Sequence, residues 1–86
     1  MEIKFEKPFT KRYLKLSKRL RVQCDERIIL FQEDRMHPLL DDHPLHGEYA
    51  GCRSINVTGD YRAIYVEVRD IVWFTRIGTH HELFGT

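Results

Sequence analysis

No stretch of this chain approaches the roughly 20 consecutive apolar residues of a membrane-spanning helix, which excludes a helical membrane protein. Its opening, MEIKFEKPF, alternates charged with apolar side chains, so a signal peptide is not expected. Cysteine is scarce: Cys24 and Cys52 stand alone. Without an export signal they read as reduced thiols of a cytoplasmic protein, each a small apolar filler. Repeats and low-complexity tracts are missing, and 86 residues make a single domain, 1–86. Five histidines include His43-x-x-His46 and the pair His80-His81, but no compact Cys/His ligand pattern appears. Neither a metal nor another cofactor is expected.

A strong charge imbalance is also missing overall, with a net charge of +1, but the mean conceals an asymmetry. Residues 1–21 hold eight Lys and Arg against Glu2 and Glu6, whereas the remainder carries six basic and eleven acidic residues. A basic segment of this kind is either the solvated face of a helix or a surface that meets phosphates.

Periodicity divides the chain into elements. EIKFE alternates and predicts a short strand, which Pro8 ends. Phe9, Tyr13, Leu16 and Leu20 recur at helical spacing with lysines and arginines around them. Asp25 is positioned to cap a second helix burying Ile28, Ile29, Leu30, Phe31 and Met36, with Arg21–Cys24 as the link of a helical hairpin. Residues 37–50, HPLLDDHPLHGEYA, carry two prolines, a glycine and three histidines and predict irregular structure. Three strands follow, Arg53–Val57, Tyr61–Val68 and Ile71–Ile77, joined by links so short that they must be antiparallel neighbours. Gly78-Thr79 breaks the third, and HHELF closes as a helical turn. The expectation is α+β: an antiparallel sheet packed on a two-helix hairpin, in the order β-α-α-β-β-β. Strict alternation groups Val72, Phe74 and Arg76 on one face of the third strand.

Three pieces of sequence occur in fixed order: Asp42-His43-Pro44-Leu45-His46-Gly47, then Gly59-Asp60-Tyr61-Arg62-Ala63-Ile64-Tyr65, then Arg76-Ile77-Gly78-Thr79-His80-His81-Glu82-Leu83-Phe84-Gly85. With Gly51-Cys52-Arg53 between them, this half of the chain resembles the YafQ branch of the RelE toxins. The resemblance implies the microbial-RNase-like RelE fold and the toxin of a type II toxin–antitoxin pair. Such a toxin is an mRNA endoribonuclease working on the ribosome, held inactive by a cognate antitoxin. The toxin–antitoxin hetero-oligomer can bind operator DNA through the antitoxin. By the resemblance the catalytic residues are His43, Asp60, Arg76 and His80, and the RNA-binding residues are Tyr61, Phe84, Arg62 and Asn56. One position departs from the branch: Asn56 stands where it has a second histidine, and asparagine cannot exchange a proton.

The implied chemistry suits these residue types. Without metal, the 2′-hydroxyl of RNA attacks the adjacent phosphorus, which needs a base, a cation and an acid. Histidine serves either proton transfer, and arginine's fork donates to two phosphate oxygens. Arg76 is expected as the phosphate clamp, His80 as the acid, and His43 with Asp60 as the base pair. Aromatic rings hold bases by stacking. The second reading is a catalytically weak or inactive RelE-fold protein that binds a target or regulates DNA with its antitoxin. Taken alone, Asp60 is an ordinary turn residue, and an exposed Arg76 paired with it across the sheet would contribute little.

Overall fold

The computed structural model describes residues 1–85. β1 (Glu2–Phe5) forms where alternation predicts it, and α1 (Lys7–Leu14) follows at once. Pro8 lies in the first turn of α1, where its missing N–H costs nothing, so it opens the helix as well as closing the strand.

The next boundary differs from expectation. The break falls at Leu16-Ser17, and α2 runs unbroken from Lys18 to Glu33. Ser17 is extended, and its hydroxyl accepts the Leu20 N–H at 3.2 Å, a side-chain cap. The Leu16 carbonyl accepts Arg21 Nη1 at 2.7 Å while the Leu16 side chain is buried. The apolar stripe from Phe9 to Leu20 is therefore shared between two helices. Asp25 caps nothing; it sits within α2 and accepts the Tyr13 hydroxyl at 2.7 Å.

Residues 37–50 are more ordered than their prolines suggest. A 3₁₀ turn at Pro38–Leu40, a short strand β2 (His43–Pro44) and a second 3₁₀ turn at Gly47–Tyr49 succeed one another. β3 (Arg53–Thr58), β4 (Tyr61–Val68) and β5 (Ile71–Thr79) complete one sheet in the order β1-β5-β4-β3-β2. Arg69 and Asp70 both take positive φ in the two-residue turn between β4 and β5, as the twist of a hairpin demands. β2 to β5 are antiparallel, while β1 runs parallel to β5 (Glu2 opposite Ile71, Phe5 opposite Phe74), so the sheet is mixed at that edge. β5 runs through Gly78 to Thr79, where α3 (His80–Phe84) begins.

Both long helices cover the same face, α1 against β5 and α2 against β3. Between them lie Phe9, Leu16, Cys24, Phe31, Ile55, Val57, Ala63, Tyr65, Val72, Phe74 and Ile77, all buried. The rings of Phe31, Tyr65 and Phe74 meet at 4.9–5.6 Å between centroids. Phe74 and Ile77 share this core although three positions apart, because the β4–β5 pairing slips: Ile64 opposes Arg76, but Tyr65 opposes Phe74. Thr75 is the extra residue of a β-bulge, which reverses the alternation beyond it. Arg76 thus leaves the face of Val72 and Phe74 and joins Ile64 on the other side of the sheet.

Candidate active site

Register places a second set of side chains on the face away from the helices. Ser54 opposes Ile64 and Asn56 opposes Arg62, while across β4 Ile64 opposes Arg76 and Arg62 opposes Gly78. The segment 41–45 is drawn over this face by one buried carboxylate. Asp42, its side chain wholly buried, accepts Arg53 Nε at 2.7 Å and the Tyr65 hydroxyl at 2.5 Å. Arg35 donates to the same hydroxyl at 3.2 Å and to Glu67 at 2.8 Å. Burial, reinforced by the hydrogen bond to Asp42, pushes the Tyr65 hydroxyl up to about 12.

With Asp42 anchored, its neighbours face the opposite way. Asp41 takes φ 46°, left-handed backbone that aspartate tolerates better than most residues. Its carbonyl accepts Arg62 Nη2 at 2.9 Å and lies 2.8 Å from His43 Nδ1. Arg62 Nη2 lies 3.3 Å from the same Nδ1, so the two contacts ask for opposite tautomers; the shorter, to a carbonyl that only accepts, favours the proton on Nδ1 and the lone pair of a neutral His43 on Nε2. Arg62 also donates from Nε to the Ser54 hydroxyl at 2.9 Å. Burial lowers the Arg62 pKa, an effect that Asp41 opposes.

The other wall is α3. Five residues do not hold a helix alone, and three contacts hold this one. Thr79 and Glu82 form a reciprocal capping box. Both carboxylate oxygens of Glu82 accept Arg12 Nη2 at 3.0 Å. Leu83 is buried. The Thr79 backbone N–H, with Arg12 second, holds Glu82 below the usual carboxylate range. The His80 N–H donates to the Asp60 carbonyl at 3.0 Å, so the Gly59-Asp60 turn fixes where the histidine starts. The His80 and Phe84 rings lie 4.8 Å apart, and Tyr49 meets Phe84 edge-on at 5.7 Å.

Asp41, His43, Leu45, Arg62, His80 and Phe84 line one open groove of about 350 Å³. Four residues expected from sequence, His43, Arg62, His80 and Phe84, therefore converge. The others lie around them. Arg76 is exposed on the same face, and its Nη1 donates to the Thr75 carbonyl at 3.1 Å. Asn56 stands opposite Arg62 without lining the groove. Asp60 contributes its carbonyl to His80, and the companion of His43 is Asp41, not Asp60. Tyr61 packs on the core side, with the Arg12 guanidinium 5.9 Å from its ring centre. His46 and His81 are exposed and outside the groove. Sequence reasoning missed Asp41, Leu45, Tyr49 and the buried Ser54. Only Asp41 left a signal, a residue suited to positive φ just before the histidine segment. Among the described residues no cluster of three or more His, Cys, Asp or Glu is placed to hold a metal ion.

With this geometry in view, the likeness to known proteins is specific. The family model described as bacterial toxin of type II toxin-antitoxin system, YafQ, matches residues 1–85. The mRNA interferase toxin YafQ of Escherichia coli (strain K12) is 43% identical over 44 residues, 51% of this chain and 48% of that protein. The chain thus spans about half the length of the curated relatives it matches. The crystal structure of YafQ from E. coli strain BL21(DE3) superposes with a TM-score of 0.77 at 26% identity, covering 98% of each chain. The E. coli DinJ-YafQ toxin-antitoxin complex contains a chain matching at TM-score 0.74 and 27% identity, over 98% of this chain and 97% of that one.

Proposed function

The chain belongs to the YafQ family of type II toxin–antitoxin toxins, and from that membership and its groove we propose that it is an mRNA endoribonuclease acting on the ribosome without a metal. The observation that carries this reading is the meeting of His43, Arg62, His80 and Phe84 around one groove. His43 Nε2 takes the proton of the 2′-hydroxyl as its oxygen bonds to phosphorus. The P–O5′ bond breaks, and His80 gives the departing oxygen a proton. Arg62, with Arg76 beyond it on the same face, faces the charge that grows on the phosphorane. Phe84, braced by His80 and Tyr49, supplies a surface on which a base stacks. Asp60 and Tyr61 act by fixing the turn from which α3 starts.

The partner in this reading is a cognate antitoxin placing acidic or apolar residues over Arg62, Arg76 and His80, with an interface beyond about 2,000 Å² as in permanent complexes. Binding of operator DNA belongs to that complex, through the antitoxin.

The test is cleavage of a defined transcript with and without ribosomes, and of a short oligonucleotide at high enzyme concentration in EDTA. The upstream product should end in a 2′,3′-cyclic phosphate or 3′-phosphate, and the downstream product should begin with a 5′-hydroxyl. A 2′-deoxy sugar at the cut should make the substrate inert. A 5′-phosphate on the downstream fragment would instead assign the attack to a metal-activated water. Asn56, in place of the branch's second histidine, favours the binding-protein reading in one respect, and growth inhibition without transcript cleavage would select it.

A further inference from the structure

Arg62 is held by more than a phosphate-binding side chain requires. Its side chain is only 12% exposed. Nε donates to the buried Ser54 hydroxyl at 2.9 Å, and Nη2 donates to the Asp41 carbonyl at 2.9 Å and the Ser54 carbonyl at 3.2 Å. Nη1 faces the Asp41 carboxylate, with Oδ2 at 3.5 Å, and the same Oδ2 lies 3.9 Å from His43 Nδ1. At these separations the carboxylate acts by charge more than by hydrogen bonding. Among the described residues lining the groove, Asp41 is the one carboxylate, set against Arg62, His43 and His80. Asp42 beside it is committed to Arg53 of β3, and Arg76 of β5 is a further cation on this face. The positive φ of Asp41 does not itself call for a charge, because glycine and asparagine adopt it at least as readily.

A carboxylate in this place has two opposed effects on RNA. It repels the phosphate that Arg62 attracts, and it favours the positive charge that His43 acquires. As Nε2 takes the 2′-hydroxyl proton, O2′ bonds to phosphorus, the P–O5′ bond breaks and O5′ takes a proton from His80. His43 ends as an imidazolium and His80 as a neutral ring. The new charge spreads over both ring nitrogens of His43, and Nδ1 has Arg62 Nη2 at 3.3 Å and Asp41 Oδ2 at 3.9 Å. Without an anion beside them, the Arg62 cation opposes arrival of the proton. In the open groove the Asp41 side chain, 70% exposed, is screened by water. A strand laid over the groove displaces that water and strengthens the interaction. We propose that Asp41 is a positioning residue for the cleavage step: its carboxylate offsets Arg62 so that His43 takes the proton, and it weakens the grip on RNA in doing so. This rests on the reading of the groove as an RNA-cleaving site with His43 as its base.

Asp41→Asn isolates the charge, since asparagine tolerates the backbone and keeps an oxygen toward Arg62. Binding and chemistry are measured separately. Binding uses a short oligonucleotide with a 2′-deoxy sugar at the cut, and chemistry uses single-turnover cleavage of the all-ribose strand at saturating enzyme, on ribosomes if they are required. The variant should bind the deoxy strand about 5-fold more tightly, as for one like charge removed from about 4 Å away in water. Its cleavage step should be roughly 10–100-fold slower, the range for losing a residue that supports a functional histidine. Asp41→Gly, equally free at positive φ, should show the same split. The ¹⁵N resonances of His43 should report the proton on Nδ1 in wild type and Asp41→Asn alike, because the backbone carbonyl remains. A changed tautomer would assign the loss to a displaced backbone and overturn the role of the charge. Cleavage at the wild-type rate, or slowed cleavage without tighter binding, also overturns it. In all of these outcomes the wild type cuts. A wild type that binds the strand and leaves the all-ribose form intact, with or without ribosomes, instead removes the nuclease reading, and this proposal with it.

Discussion

His80 and His81 are adjacent in sequence and unequal in place. His80 lines the groove with its ring against Phe84, while His81 stands exposed outside it. His80→Ala should reduce cleavage ~10²–10⁴-fold, the usual contribution of a positioned acid or base, with folding unchanged. His81→Ala should fall within a few-fold of wild type; equal losses in oligonucleotide cleavage would assign the acid elsewhere. Asp42 is the converse, a residue that the reacting strand does not meet. Removing its carboxylate leaves Arg53 and the Tyr65 hydroxyl without their shared acceptor. Asp42→Ala should cost about 1–3 kcal/mol in urea unfolding, the range for a buried polar group deprived of its partner. It should lower cleavage too, because Asp41 and His43 flank the anchor. Asp42→Asn, which keeps an oxygen for Arg53, should recover part of both.

At the level of elements, α3 exists by virtue of what surrounds it. Thr79→Ala removes half of the capping box, about 1 kcal/mol for a typical N-cap. Its effect on cleavage should exceed its effect on unfolding, since His80 and Phe84 both ride on these five residues. Hydrogen exchange at Glu82 and Gly85 should rise while the β4 and β5 amides stay protected; loss of protection in both regions would mean that the sheet depends on α3. The elements also show where sequence was informative. Strands of period two bounded by turn residues were legible almost to the residue for β3 and β4, whereas β5 continues through the Gly78-Thr79 step that was expected to break it. The helix boundary was not, because Phe9, Tyr13, Leu16 and Leu20 keep helical spacing across the break and Ser17 marks it with one hydroxyl. The bulge at Thr75 was invisible, since nothing in Phe74-Thr75-Arg76 distinguishes it from an ordinary strand. It nonetheless decides that Arg76 faces the groove side while Ile77 faces the core. The motif residues before His43 and after Gly78 pointed to the groove; the contacts that aim them, from Asp41, Asp42 and Glu82, depend on partners distant in sequence and had no local signature.

For the molecule as a whole, three buried or bonded groups set the alkaline limit of stability. The Tyr65 hydroxyl is raised from 10.0 to about 12 chiefly by burial, and that of Tyr13, also from 10.0, to about 12 chiefly by its bond to Asp25. The Cys24 thiol rises from 9.0 to about 12 by burial. Each raised value means that the fold favours the protonated group, so its contribution is complete below the unfolded pKa and is lost as pH climbs through the folded one. The urea midpoint should therefore hold up to about pH 9 and decline between about pH 9 and 12. Tyr13→Phe should make the decline shallower, whereas an identical profile in that variant would place the titration elsewhere.

The parallel pairing of β1 with β5 has a consequence in time. Glu2 meets Ile71 across nearly the whole chain, so during translation the first strand waits for about 70 further residues, roughly 3–14 s at cellular rates of elongation. Pairings so distant in sequence are also the slow ones to form. A nascent chain that stops before Ile71 has neither the strand joining β1 to β4 nor the helix bearing His80, although His43 has already been made. The two walls of the groove are thus separated by the order of synthesis, and an unfinished chain carries one wall without the other.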